Sequence, residues 1–212
     1  MSLFLIYVDN GLCDLASMYT GSKSVSQWTC TVGGVAGGVC MSPWLGVSCV
    51  TGLVVSVSTS TSVWSGSVPS SVCYLRGLTS VQLVSGNLVG TIPSSLCQLS
   101  LLATLNLNSN KLTGSIPTSV GLLTQLTLLY FSRNSLTGVI PSSLGQLFSL
   151  CDLELNSNWM VGTIPSSLGQ LSLLTTLNLN SNKLTGSIPT SVGLLTQLTS
   201  LQFQGNSLTG KY

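Results

Sequence analysis

Pro69, Pro93, Pro117, Pro141, Pro165 and Pro189 stand 24 residues apart, and they are six of the seven prolines in this 212-residue chain. Few features restrict a fold more. A fixed period of this length belongs to solenoids, in which each repeat is one supersecondary unit that buries its apolar face only against its neighbours. Written in rows of 24, the sequence also aligns Gly66, Gly90, Gly114, Gly138, Gly162, Gly186 and Gly210, and it places Asn110, Asn134, Asn158, Asn182 and Asn206 in one column. The rows predict seven coils over residues 53–210, an N-terminal disulfide-containing cap over 1–52, and a tail at 211–212 with no C-terminal cap.

One row, from Leu102 to Gln125, reads LATLNLNSNKLTGSIPTSVGLLTQ. Its Leu105-Asn106-Leu107-Asn108 alternation has the period of a strand, which turns the leucines inward and the asparagines outward. Stacked coils then align these strands into a parallel sheet. Asn110 falls in the following bend, where an amide with both donor and acceptor satisfies backbone groups that the turn leaves unpaired. Its column therefore predicts a buried amide ladder. Gly114 suits a backbone position with no room for a side chain, Ile116 adds an inward anchor, and Pro117 opens the opposite side. The stretch from Thr118 to Leu123 reads as a short helical turn, with a hydroxyl placed to cap its first amides.

The pattern LxxLxLxxNxLxGxIPxxLxxLxx resembles the plant-type, 24-residue leucine-rich repeat of receptor-kinase ectodomains and polygalacturonase-inhibiting proteins, over residues 53–210. That resemblance implies an α/β solenoid, mainly β. It would be a superhelix with a concave parallel β-sheet, a second small sheet from the LTGxIP segments, and short 3-10 or helical turns on the convex side. The segments LASMY at 15–19, Trp28, and CMSPWLGVSC at 40–49 are similar to the cap elements of the same family. They imply a Cys40–Cys49 disulfide with Trp44 packed over the first coil, and a pairing of Cys13 with Cys30. A cap there shields a hydrophobic end and an unpaired strand edge. The resemblance also implies partner binding on the concave face.

Composition narrows the function. Charged residues make up 5% of the chain, six basic and four acidic with no His, against about 25% in ordinary soluble domains. A net charge of +2 without a basic run gives almost no counterion release, which argues against nucleic acid and against polybasic membrane docking. The run LFLIYV at 3–8 is far short of the roughly 20 residues that cross a bilayer, so no membrane span is expected. No positive residue precedes it and no clean small-residue cleavage site follows, so a secretory signal is expected upstream or already removed. Seven cysteines, four of them within residues 13–49, point to an oxidising compartment and an extracellular, secreted or cell-surface location. Cys73 and Cys97 share a column one coil apart. A coil spacing of about 4.8 Å falls inside the Cα window for a disulfide, which predicts a bridge between coils. Cys151 is left over, as a buried thiol or an intermolecular bond. No Asn-x-Ser/Thr sequon occurs.

Without His, neither Ser-His-Asp nor Cys-His catalysis is available. No cofactor or metal site is expected, and the glycines belong to repeat columns rather than to a phosphate loop. Asp152 and Glu154 lie two residues apart on one strand, hence on one outward face. Such a pair can do acid and base work on a sugar, but the reading preferred is a polar spot on a binding surface. Most outward positions are small and uncharged. Tyr130, Arg133, Asp152, Glu154 and Trp159 are the mixed patch, and Tyr, Trp and Arg are favoured at recognition hot spots. They are the candidate site for a protein or carbohydrate ligand. The sequence leaves two alternatives open: a homo-polymer or fibre built by end-to-end stacking through the uncapped end, and ice binding through the files Ser70–Ser94–Thr118–Ser142–Ser166–Thr190 and Ser71–Ser95–Ser119–Ser143–Ser167–Ser191. Residues 90–138 match 162–210 except at 97, 103, 128, 130, 132 and 133, six of 49 positions. A block of three coils has been copied, and four of its differences fall on or beside one concave strand.

Overall fold

The computed structural model describes residues 30–31, 34–35, 47–50, 53–59 and 65–210. The expected pairings of Cys13 with Cys30 and of Cys40 with Cys49 rest on side chains outside the described residues, as does the placement of Trp44. Seven parallel strands, one per coil, build the concave sheet: Leu53–Thr59, Ser80–Leu83, Thr104–Asn106, Leu128–Tyr130, Asp152–Glu154, Thr176–Asn178 and Ser200–Gln202. Their register follows the repeat, with Val81 beside Leu105, Leu105 beside Leu129, Leu129 beside Leu153 and Leu153 beside Leu177. All five are buried. Each leucine removed from water in this way contributes about 1.5–3 kcal/mol, and the period of 24 sets the next one directly beside it. At the N-terminal edge Val47–Val50 runs antiparallel to Leu53–Thr59, which covers a row of otherwise unpaired backbone groups.

Beyond each strand the chain turns through a left-handed residue into the Asn column. Ser109 has φ of 58°, and Asn110 follows it inward. The Asn110 amide donates to the Leu83 carbonyl of the preceding coil at 2.7 Å and to the Leu107 carbonyl of its own at 3.0 Å, while its Oδ1 accepts from the Leu88 N–H at 3.2 Å. Asn134, Asn158, Asn182 and Asn206 repeat this arrangement. Each therefore ties two coils together, and the Leu107 carbonyl, which accepts from both Asn110 and Asn134, shows one rung of the ladder joined to the next.

The LTGxIP segments form a lateral flank. Ser65–Ser67 pairs with Asn87–Val89, and Val161–Gly162, Lys183–Ser187 and Ser207–Thr209 make a second parallel group. Between them the ladder continues through bonds such as Thr113 N–H to the Gly90 carbonyl and Thr137 N–H to the Gly114 carbonyl, at 2.7 and 2.8 Å.

The convex side consists of 3-10 segments, among them Ser94–Gln98, Thr118–Leu122 and Ser142–Gln146. Proline opens each of these, and no side chain caps it, so the capping role expected of the Thr118 hydroxyl is not found. The hydroxyl one place further along bonds the preceding coil instead. Ser119 Oγ donates to the Ser94 carbonyl at 3.2 Å and Ser143 Oγ to the Thr118 carbonyl at 2.6 Å. Coil stacking is also tight here, because a Cβ on Gly121 would run into the Ser143 carbonyl oxygen.

Cys73 shares the Gly121 column, and it is a buried free thiol. The expected bridge to Cys97 is not formed. Spacing alone permits a bridge, but a disulfide also needs Cβ vectors that converge. At Gly121, Gly145 and Gly169 of this column a Cβ points along the solenoid at the Ser of the next coil, not at the neighbouring member of the column. Cys151 is likewise free, and it is half-buried, with Sγ 3.6 Å from the Ser149 carbonyl oxygen.

The last described coil keeps its outer face open. Leu201 is 44% exposed although Leu177, its neighbour in the sheet, is fully buried. Gly193 has nothing within 4 Å of where a Cβ would stand. A depression of about 660 Å³ lies there, lined by residues including Ile188, Val192, Leu201 and Phe203.

Candidate functional site

Three of the five candidate residues meet on the concave face. Strand Leu128–Tyr130 lies parallel to Asp152–Glu154, with Tyr130 in register with Glu154. The alternation that buries Leu129 and Leu153 turns Tyr130, Asp152 and Glu154 outward. Tyr130 reaches diagonally and its hydroxyl donates to Asp152 Oδ2 at 2.8 Å. Ser132 Oγ lies 3.5 Å from Glu154 Oε2.

The electrostatics of this group follow from its surroundings. Partial burial pushes the Asp152 carboxyl above the usual carboxylate range, and the Tyr130 hydrogen bond pulls against that shift. Burial likewise raises the Tyr130 phenol, helped by its bond to Asp152 and by the negative charges of Asp152 and Glu154. Tyr130 is therefore a hydrogen-bond donor at any physiological pH. Asp152 Oδ1 and Asn156 Oδ1 are both buried atoms with no hydrogen-bond partner. A buried acceptor left unmatched is costly, which sets this part of the sheet apart from the fully bonded Asn ladder.

Arg133 and Trp159 stand apart from that group. The concave strand ends at Glu154, and the chain then turns through Ser157, at φ of 58°, and buried Asn158. Trp159 consequently opens the lateral flank, where its N–H donates to the Leu136 carbonyl at 2.8 Å. Trp159 thus lies past the concave strand, on the segment that leads into Val161–Gly162. Its ring lies under Lys183, whose Nζ is 4.4 Å from the ring centroid. Arg133 occupies the turn itself, with φ of 54°, and is exposed. Sequence reasoning passed over Lys111 and Lys183 because it read only strand positions; the available signal was that both directly follow an Asn of the ladder, as Trp159 does. Asn156 is one of the uncharged positions beyond the strand, and nothing in the sequence marks its unpartnered oxygen.

Among the described residues, no group of three or more His, Cys, Asp or Glu is placed to hold a metal ion. No helix among them is long and apolar enough to cross a membrane.

The chain is a leucine-rich-repeat solenoid of the plant type. The Leucine Rich Repeat family matches residues 101–123, 125–147 and 173–195, and the structural neighbours are receptor-kinase ectodomains. The PEPR1–AtPEP1 crystal structure is 31% identical with a TM-score of 0.88, over 96% of this chain and 28% of that one. The Arabidopsis receptor kinase HAESA ectodomain, in complex with an N-terminally extended IDA peptide hormone ligand, is 33% identical with a TM-score of 0.82, over 96% of this chain and 34% of that one. Pollen Receptor Kinase 3 is 26% identical with a TM-score of 0.80, over 96% of both chains. The chain therefore spans 28% and 34% of the first two and nearly all of the third. No curated protein matches the sequence.

Proposed function

We propose that this chain is a non-catalytic, extracellular recognition segment that binds a protein or peptide ligand on its concave face, centred on Tyr130, Asp152 and Glu154. One observation carries the reading. Among the described residues the carboxylates sit on a single strand, beside the strand where the two copies of the repeated block diverge, and they leave Asp152 Oδ1 and Asn156 Oδ1 without donors. Coils that are otherwise near-identical thus differ where a partner would touch. The HAESA complex with a peptide hormone supports a peptide as ligand class.

A peptide-display screen against the full chain, followed by titration of the best binder, tests this. Tyr130→Ala and Asp152→Ala are each expected to weaken binding by about tenfold, or about 1.4 kcal/mol, with circular dichroism unchanged. Unaltered affinity in both variants would place the site elsewhere. Loss of a hydrolytic activity on Asp152→Asn and Glu154→Gln would overturn the non-catalytic assignment.

Self-assembly by stacking of like chains is a second reading, favoured by a charge content of 5% that does little to oppose association. Only dispersed particles in negative stain at micromolar concentration would exclude it. The ice-binding alternative is weakened, because hydroxyls of its inner file, from Ser95 to Ser191, are spent on carbonyls of neighbouring coils.

A further inference from the structure

Five consecutive coils each leave one large apolar side chain in water on the convex side. Leu101, Leu122, Phe148, Leu173 and Leu194 follow the prolines of their coils by eight, five, seven, eight and five places, so each lies at or just past the end of a 3-10 segment. They are 50–68% exposed. The repeat itself does not call for them. Within these five coils the same columns otherwise carry Gln, Ser or Thr, as Gln146 does in the column of Leu122 and Leu194, Gln125 in that of Leu101 and Leu173, and Ser172 in that of Phe148. Each of the five is next in sequence to a buried leucine, as Leu122 is to Leu123, so core packing holds the backbone under the strip. The coils also close up on this side, because a Cβ on Gly121, Gly145 or Gly169 would meet the backbone of the next coil. The strip therefore fans out little. No charged residue occurs in its segments, 94–101, 118–125, 142–149, 166–173 and 190–197; Arg76 follows the 3-10 segment of the preceding coil and stays outside.

We infer that this strip is a dimer interface, whose occupant is a second copy of this chain set antiparallel across a two-fold axis at Phe148. The order of the residues selects that partner. Counted outward from Phe148, the adjoining coils hold Leu122 and Leu173, and the outer coils hold Leu101 and Leu194. An antiparallel copy lays Leu122 against Leu173, Leu101 against Leu194, and Phe148 against its own counterpart, in both halves at once. Each leucine pair joins a position five places past proline to one eight places past, so the side chains interleave instead of meeting head on. Such self-complementarity is what an isologous interface requires. Charge agrees with it. A charged partner would bury its charges against a face that has none to pair them, whereas a second copy brings the same uncharged face. Five coils at about 4.8 Å and eight residues at about 2.0 Å outline about 24 by 16 Å, or about 400 Å² per copy. A standard interface takes about 800 Å² per partner, so the pair is weak and reversible. It also closes at two chains, and it leaves the concave site free and does not depend on it.

The test is sedimentation equilibrium of the full chain across the micromolar range, where a dimer with a dissociation constant on the order of 10 μM is expected. Phe148→Ser installs the residue that its column carries at Ser172, so the coil is kept, and the dimer should weaken at least about tenfold. Leu122→Gln combined with Leu194→Gln copies Gln146 in the same way and should do likewise. Tyr130→Ala, on the concave face, should leave association unchanged. Phe148→Cys should form an interchain disulfide on mild oxidation that the parent chain does not, because the axis sets this residue against its counterpart. All variants should keep the circular dichroism of the parent. A wild-type chain still monomeric at about 100 μM would overturn the inference, and binding of that monomer to phosphatidylcholine vesicles, lost in Phe148→Ser, would assign the strip to a lipid surface instead. Polymers larger than a dimer that persist in Phe148→Ser would overturn it in favour of end stacking. So would a dimer indifferent to both sets of substitutions, or a Phe148→Cys chain that cross-links no faster than its parent.

Discussion

At the scale of single residues, the Tyr130–Asp152 bond is where structure and chemistry meet most closely. Burial raises the Asp152 carboxyl, and Tyr130 counteracts it by donating to the charged form. Because the folded-state value lies above the unfolded one, the native state holds the extra proton in the interval between them. Stability contributed by this group is therefore fully present at low pH and is lost as pH rises through the folded value. Tyr130→Phe removes the donor that favours the anion. The carboxyl of Asp152, followed by NMR titration, is expected to move further up in Tyr130→Phe. A downward or null shift would show that the hydroxyl does not hold Asp152 Oδ2 in solution. Asp152→Asn removes the charge altogether, and it should gain stability relative to wild type at neutral pH, with the gap closing as the pH approaches the ordinary carboxylate range.

At the scale of elements, each coil is a copy of one solution, and its rules were legible where the columns are pure. The leucine, asparagine and proline columns announce strand, ladder and convex turn before any coordinates, because a residue fixed at one phase of a 24-residue period can serve only one inward or turning role. What was not legible is direction across the coil boundary. The Thr118 hydroxyl looked like a cap and is not one, since the working hydroxyl is on Ser119 and bonds the neighbouring coil. Cys73 and Cys97 looked bridgeable because a column gives distance but not the direction of its Cβ vectors. The turn through Ser157 and Asn158 has no sequence signature that separates the strand Asp152–Glu154 from the segment that Trp159 opens. The same column yields a paired prediction. Gly145→Ala drives a Cβ into the Ser167 backbone, whereas Gly193→Ala meets nothing. Overpacking of the first kind costs about 1–3 kcal/mol, so Gly145→Ala should lower the urea midpoint clearly while Gly193→Ala leaves it within about 0.5 kcal/mol of wild type. Equal effects would mean that the convex coils are not packed as closely as the Gly121 and Gly145 contacts require.

At the scale of the whole molecule, stability and recognition rest on different forces. The core is a continuous stack of leucines from Leu75 to Leu184, tied by the Asn ladder and by backbone bonds between coils. None of these is a charge pair. With six basic and four acidic residues in 212, little of the folding free energy is open to screening, and the acids among the described residues, Asp152 and Glu154, share one concave strand. Raising NaCl from about 0.01 M to about 1 M shortens the Debye length from about 30 Å to about 3 Å. Thermal unfolding followed by circular dichroism should move by less than about 3 °C over that range, since exposed ion pairs contribute only about 0–1 kcal/mol each. A drop of about 10 °C or more would mean that electrostatics carries the fold. A fold held by apolar packing and by hydrogen bonds between coils offers salt little to screen.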